Sequence, residues 1–142
     1  MVRAMSKEEL VSSVKRIVTV ARSGDLDGAY QGYRDLFTAP WFAAQRPEDQ
    51  RQALRLMILA KNAPRTPSAI MIEAHRAAVP ALTELVSIHQ EPADHEMLGV
   101  CHVVLGNTDS ASTIFRAGLA IERERNPSSD LCGELMKRIS LI

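Results

Sequence analysis

The chain has 142 residues, a length typical of one compact domain, and it balances 17 Lys and Arg side chains against 17 Asp and Glu. This balance argues against a nucleic-acid-binding protein, because phosphate contacts usually require a basic excess. Apolar residues make up 46% and aromatic residues 4% of the chain, and no run of apolar residues is long enough to cross a bilayer. The composition therefore excludes the collagen-like, disordered and membrane classes and favours helices over strands.

The first two helices are marked by their capping residues. Ser6 opens a capping box, and the apolar spacing that follows predicts a helix over about 7–22. Gly24 is suited to end that helix in a left-handed conformation. Asp25 can cap the second helix, which Pro40 stops.

The middle of the chain contains several prolines. Pro47 is typical of a first helical turn and predicts a third helix that runs to about Asn62. Thr66 or Ser68 can cap the fourth helix. Pro80 lies inside this helix, so we expect a kink or a split there.

No segment alternates apolar and polar residues as a strand would, so the sequence predicts an all-α protein of seven or eight helices in one domain, 1–142. Its short connectors favour antiparallel neighbours. The last three helices are expected over about 92–105, 108–125 and 130–140, bounded by Gly106, by Thr108 or Asp109, and by Ser128 or Ser129.

Over about 92–125, Leu98-Gly99 is followed by Gly106, Ala111, Phe115 and Gly118 at a spacing that resembles a tetratricopeptide repeat. A weaker copy lies 82 residues earlier, where Gly24, Ala29 and Tyr33 keep the spacing and Ile17 occupies the place of Gly99. The resemblance implies helical hairpins that stack as a short superhelix. The signature positions in the stronger copy are Leu98, Gly99, Gly106, Ala111, Phe115 and Gly118.

In stacked hairpins of this kind, the first helix of each pair lines a concave surface that binds peptides or helices. The resemblance implies an apolar groove suited to a partner helix or apolar peptide, since the paired Lys and Asn that hold a terminal carboxylate in some relatives are missing here. The alternative for the same valines is ordinary burial in the core. The groove residues that the resemblance implies are Val14, Val18, Arg22, Glu96, Val100, Val103 and Val104.

Two large rings, Trp41 and Phe42, lie in the connector after the second helix. They could form an exposed anchor for a partner, since Trp is enriched at interface hot spots. The favoured interpretation is that they fold back and fill the gap between two hairpins.

The sequence contains no phosphate-binding glycine loop, nucleophile elbow or HExxH spacing, so we expect a non-enzymatic protein without metal or cofactor. Cys101 and Cys132 are expected to be reduced thiols, because no secretory signal opens the chain and a cytoplasmic location follows. The leading hypothesis is a protein-interaction module, an adaptor or chaperone-like binder, with no nucleic-acid or membrane partner. The alternatives are a self-associating homodimer and a small helical enzyme that uses His95, His102 or Cys101.

Overall fold

The structure is a computed structural model that describes residues 6–142; residues 1–5, which belong to the segment searched for a secretory signal, lie outside the described part. Within 6–142 the chain forms seven α-helices and one short 3-10 helix, and it has no β-strand. The all-α expectation is confirmed. The α-helices are α1 (Lys7–Arg22), α2 (Leu26–Thr38), α3 (Pro47–Ile58), α4 (Ala69–His89), α5 (Pro92–Val104), α6 (Thr108–Arg125) and α7 (Asp130–Ser140).

Most helix starts lie where the capping residues predicted them. The Ser6 hydroxyl accepts a hydrogen bond from the Glu9 amide, and the Asp25 carboxylate accepts one from the Gly28 amide. Ser68 and Ser129 cap α4 and α7 in the same way. These side chains satisfy backbone donors that the first helical turn leaves unpaired.

Helix α6 begins differently from the expectation. Its cap is Asn107, which makes no side-chain capping bond, so neither Thr108 nor Asp109 is the cap. The tight connection before it depends on Gly106, which has a φ of 81°. Gly24 at the end of α1 has a φ of 96°, and both glycines therefore adopt the left-handed conformation that other residues rarely take.

Of the kink or split expected at Pro80, the split is absent, because α4 is one continuous helix through this residue. A proline removes the hydrogen bond to the carbonyl four residues earlier, here that of Arg76. The side chains of Arg76 and Pro80 are both exposed, so the Arg76 carbonyl lies on a face of the helix that water reaches. Helix α3 is also shorter than expected and ends at Ile58, and the 3-10 helix over Pro40–Phe42 was not predicted.

The chain divides into two compact units, one that reaches Ala81 and one over Leu82–Ile142. In the first unit α1 packs on α2 at Gly32, where an added Cβ would lie 2.8 Å from Ile17 Cγ1. Ile17 thus fills the space that a glycine leaves on the opposite helix.

Helix α2 is also tied to α4 within the first unit. The Tyr30 and His75 rings lie 6.0 Å apart between centroids, and Arg34 Nη1 lies 2.9 Å from Glu73 Oε2. These contacts link the second and fourth helices of the unit through one aromatic pair and one exposed ion pair.

The second unit contains α5, α6 and α7. Gly99 on α5 faces the Phe115 ring on α6, and a Cβ at Gly118 would lie 2.6 Å from His95 Cβ. Helix α7 packs on both and closes a buried cluster. The cluster consists of Ala111, Phe115, Leu119, Cys132 and Leu135.

Among the helices over 6–142, none has both the length and the apolar character that a membrane span requires.

Candidate functional site

A groove with apolar walls runs between α1 and α3 in the first unit. It consists of two adjoining cavities, of about 150 and 270 Å³, which share Leu56 as a lining residue. Together they follow α1 from Lys7 to Arg22, a distance of about 22 Å at the helical rise of about 1.5 Å per residue. We refer to this feature as the α1/α3 groove.

The α1 wall is a stripe of small aliphatic side chains. Val11, Val14, Val18 and Ala21 follow each other at intervals of three, four and three residues, so they share one helix face. Val11 is 40% exposed, and the other three are half-buried. Three of the residues predicted for a groove, Val14, Val18 and Arg22, therefore line this one.

The α3 wall is centred on Leu56, which is 49% exposed although its side chain is fully apolar. Ala53, one turn earlier on α3, lines the smaller cavity, and Ala60, just after the end of α3, lines the larger one. Exposed apolar side chains that lie together along a concave surface are typical of sites that bind another molecule.

Two tyrosines of α2 line the larger cavity. Tyr30 and Tyr33 are both buried, and burial raises the pKa of each phenol above its usual value of 10.0. Asp27 adds to the effect at Tyr30 through its negative charge. Both phenols are therefore neutral at physiological pH, and the wall they contribute carries no charge.

The charged groups along the groove are mainly basic. Lys7 Nζ lies 3.7 Å from Oδ1 of the buried Asp49, so the charge of this acid is paired with that of a lysine. Lys15 and Arg22 are exposed, and among residues 6–142 neither has an ion-pair partner. The rim on the α1 side therefore presents two unpaired positive charges.

A third cavity, of about 340 Å³, lies on the other side of α1 and is lined by residues of α1 and α2 and by Trp41. Trp41 is half-buried and shares this lining with Ile17 and Gly32. Phe42 is 1% exposed and its ring centroid lies 5.1 Å from that of Phe37. Phe42 is therefore part of the interior, so it cannot serve as an exposed anchor.

The residues expected to form a groove on α5 are placed differently. Glu96 is buried, and its Oε2 accepts a hydrogen bond of 2.8 Å from Arg138 Nε of α7. Val100 packs against the buried cluster of the second unit. Helix α7 covers Glu96, which is therefore corrected from groove wall to interior, whereas Val100 is half-buried beside the cluster.

The other two α5 valines are closer to solvent. Val103 is 38% exposed, and Val104 is half-buried. They lie next to each other on the helix and point about 100° apart around its axis, so Val103 faces solvent more fully than Val104 does. Of the valines predicted to line a groove, Val14 and Val18 of α1 thus line an open one in the first unit.

Among residues 6–142 no group of three His, Cys, Asp or Glu side chains lies close enough to hold a metal ion. His95 Nδ1 lies 2.8 Å from the Glu91 carbonyl, a bond within its own helix, and His102 Nδ1 is buried without a partner. Burial raises the pKa of Cys101 to about 12, so its thiol is protonated and a poor nucleophile.

Leu56 was not predicted from the sequence, because its role depends on the placement of α3 beside α1, about 40 residues earlier in the chain. A local signal existed: Leu56 shares the exposed face of α3 with the polar residues Gln52 and Arg55. Such an apolar residue on a polar face indicates a surface that is covered in some state of the protein.

Comparisons of the chain with family models, with curated proteins and with solved structures found no match in any of the three.

Proposed function

We propose that this protein is a non-enzymatic protein-interaction module that binds a partner segment in the α1/α3 groove. The observation that carries the proposal is the exposure of Leu56 and Val11 on facing walls of one concave apolar surface. Apolar side chains at the centre of such a surface contribute most to binding when they are covered. Each Å² of apolar area that is removed from water stabilises the complex by about 25 cal/mol.

The resemblance to tetratricopeptide repeats supports the same interpretation. The close contact of Gly99 with Phe115 is the kind of helix pairing that the resemblance implies for a repeat hairpin. In an array of such hairpins, the first helices of successive pairs line the binding surface. We propose that α1 and α3 have this relationship, and that the module acts as an adaptor or a chaperone-like binder.

Site-specific photocrosslinking in the cells that make the protein tests the proposal. A photoreactive side chain at position 56 is compared with one at position 88, because Ile88 is 64% exposed and belongs to the other unit. We expect a discrete adduct at position 56 that disappears when Val14→Asp is introduced. A crosslinking pattern that is the same at both positions would contradict the assignment of the groove.

Self-association is the second outcome that this experiment detects. A homodimer would give an adduct of twice the 15.7 kDa mass of the chain. It would use the same groove with a second copy as the occupant. The mass of the adduct therefore separates the two kinds of partner.

A further inference from the structure

We infer that the occupant of the α1/α3 groove is an amphipathic helix of a partner protein whose apolar stripe is flanked by acidic residues. This inference rests on the proposed function, and it adds the secondary structure and the charge of the partner. The pattern of side chains on α1 supplies the first property, and the unpaired cations of the rim supply the second.

The spacing on α1 is that of a coiled-coil seam. Val11, Val14, Val18 and Ala21 occupy positions a, d, a and d of two successive heptads. Coiled-coil seams form knobs-into-holes contacts only with another helix, because the partner must present side chains at the same repeat. An extended peptide places its side chains about 3.3 Å apart on alternate faces and does not match this repeat.

The groove also has the length that a helix requires. Its lining residues extend from Lys7 to Arg22, which corresponds to about four helical turns. The far wall carries Leu56 at the junction of the two cavities, so an inserted side chain has an apolar contact on both sides. A partner helix of about 14–16 residues would cover the whole seam.

The charges indicate which helix fits. Lys15 and Arg22 follow Val14 and Ala21 directly and are seven residues apart, so both occupy position e beside the seam. Neither has an ion-pair partner in the described chain, and the acid that lines the groove, Asp49, is buried beside Lys7. A partner with Glu or Asp at heptad spacing would pair with both cations, whereas a basic helix would be repelled.

Two synthetic peptides of 18 residues test the inference against the full chain. Both carry Leu at heptad positions a and d; the acidic peptide carries Glu at e and g, and the basic peptide carries Lys there. Fluorescence anisotropy of labelled peptide gives the Kd at low and at high salt. We expect the acidic peptide to bind about tenfold more tightly at low salt, with a smaller difference at high salt.

Charge reversal at the rim should invert this preference. The double variant Lys15→Glu, Arg22→Glu is expected to bind the basic peptide more tightly than the acidic one. The matched control is Arg65→Glu, Arg76→Glu, which changes the net charge equally at two exposed residues outside the groove lining. The control should keep the preference for the acidic peptide.

The Leu56→Asp variant separates the failure of this inference from the failure of the proposed function. If both peptides bind equally and both lose binding in Leu56→Asp, the groove binds helices without charge selection and the acidic partner is wrong. If the acidic peptide binds Leu56→Asp as tightly as the native chain, it binds elsewhere, and the groove assignment fails too. If neither peptide binds, the helical partner is wrong, and crosslinking at position 56 still decides on the groove.

Discussion

Gly99 of α5 lies directly against the ring of Phe115 on α6, so close that a side-chain carbon at position 99 would come within 2.7 Å of Phe115 Cζ. Both residues are buried, and the atoms that an added carbon would meet belong to a rigid ring and not to the end of a flexible side chain. The distance between α5 and α6 is therefore set by the absence of one methyl group. The same device joins α1 to α2, with the glycine on the second helix and Ile17 on the first.

A methyl group at position 99 should therefore destabilise the second unit. We expect Gly99→Ala to lower the free energy of unfolding by about 1–3 kcal/mol, because the Phe115 ring or the backbone must shift. Urea unfolding followed by circular dichroism measures the change. The matched control is Gly133→Ala on α7, where an added Cβ meets nothing within 4 Å. The control should stabilise the protein by about 0.5–1 kcal/mol, and a Gly99→Ala protein as stable as this control would disprove the close contact.

Replacement of Pro80 should stabilise the protein. Alanine restores the amide that donates to the Arg76 carbonyl, and because Pro80 is exposed the change leaves no cavity. An interior proline costs about 3 kcal/mol in a helix, and part of this cost is offset by its restriction of the unfolded chain. We expect Pro80→Ala to raise the free energy of unfolding by about 1–2 kcal/mol, measured by urea unfolding. A loss of stability would show that the proline has a favourable role in α4.

The stability of the first unit should depend on pH through His75. Burial lowers the pKa of His75 below 6.5, although its hydrogen bond with the Met71 carbonyl partly opposes the shift. Below pH 6.5 the unfolded chain binds a proton that the folded chain does not, so the free energy of unfolding falls as the pH is lowered. The contribution is complete above about pH 6.5 and is lost as the pH falls toward the lowered pKa of the folded state.

The measurement is urea unfolding at several pH values between 5 and 8. His75→Gln removes the titrating group and should flatten the decline between pH 6.5 and 5.5. His89→Gln is the control, since His89 is exposed, and it should retain the slope of the native chain. Equal slopes in all three proteins would show that His75 titrates alike in the folded and unfolded chain.

Cys101 should resist alkylation in the folded protein. Its side chain is fully buried and its pKa is raised to about 12, so little thiolate is present at pH 8. We expect iodoacetamide to leave Cys101 unlabelled in native buffer and to label it completely in urea, as measured by mass spectrometry of proteolytic peptides. Rapid labelling in native buffer would show that α5 is solvent-accessible at this position.

The helix boundaries were predictable because their signals are local. Ser6 and Asp25 cap through bonds that span three residues, and Gly24 and Gly106 turn the chain with their own backbone conformations. Pro80 is the instructive exception. The proline lacks one helical hydrogen bond, but α4 has fully buried side chains on both sides of it, such as Ala74 and Leu82. Burial of these side chains outweighs the lost bond, and the local sequence does not show how the two effects compare.

The groove was only partly predictable because its second wall is not local. Val14, Val18 and Arg22 share a face that periodicity alone identifies, whereas Leu56 lines the same groove only because the fold places α3 beside α1. On α5 the same reasoning failed at Glu96, because Arg138 lies 42 residues further along the chain and brings α7 over it. Periodicity indicates which face of a helix is apolar, but it does not indicate which other helix covers that face.

The most direct test of the central claim is a methyl-resolved NMR titration of the full chain with the acidic heptad peptide. The account predicts that the Val11, Val14, Val18 and Leu56 methyl resonances shift together and saturably, while those of Val103 in the second unit stay in place. Saturable shifts at Val103 with no change at Leu56 would show that the protein binds such a helix elsewhere and would contradict the account.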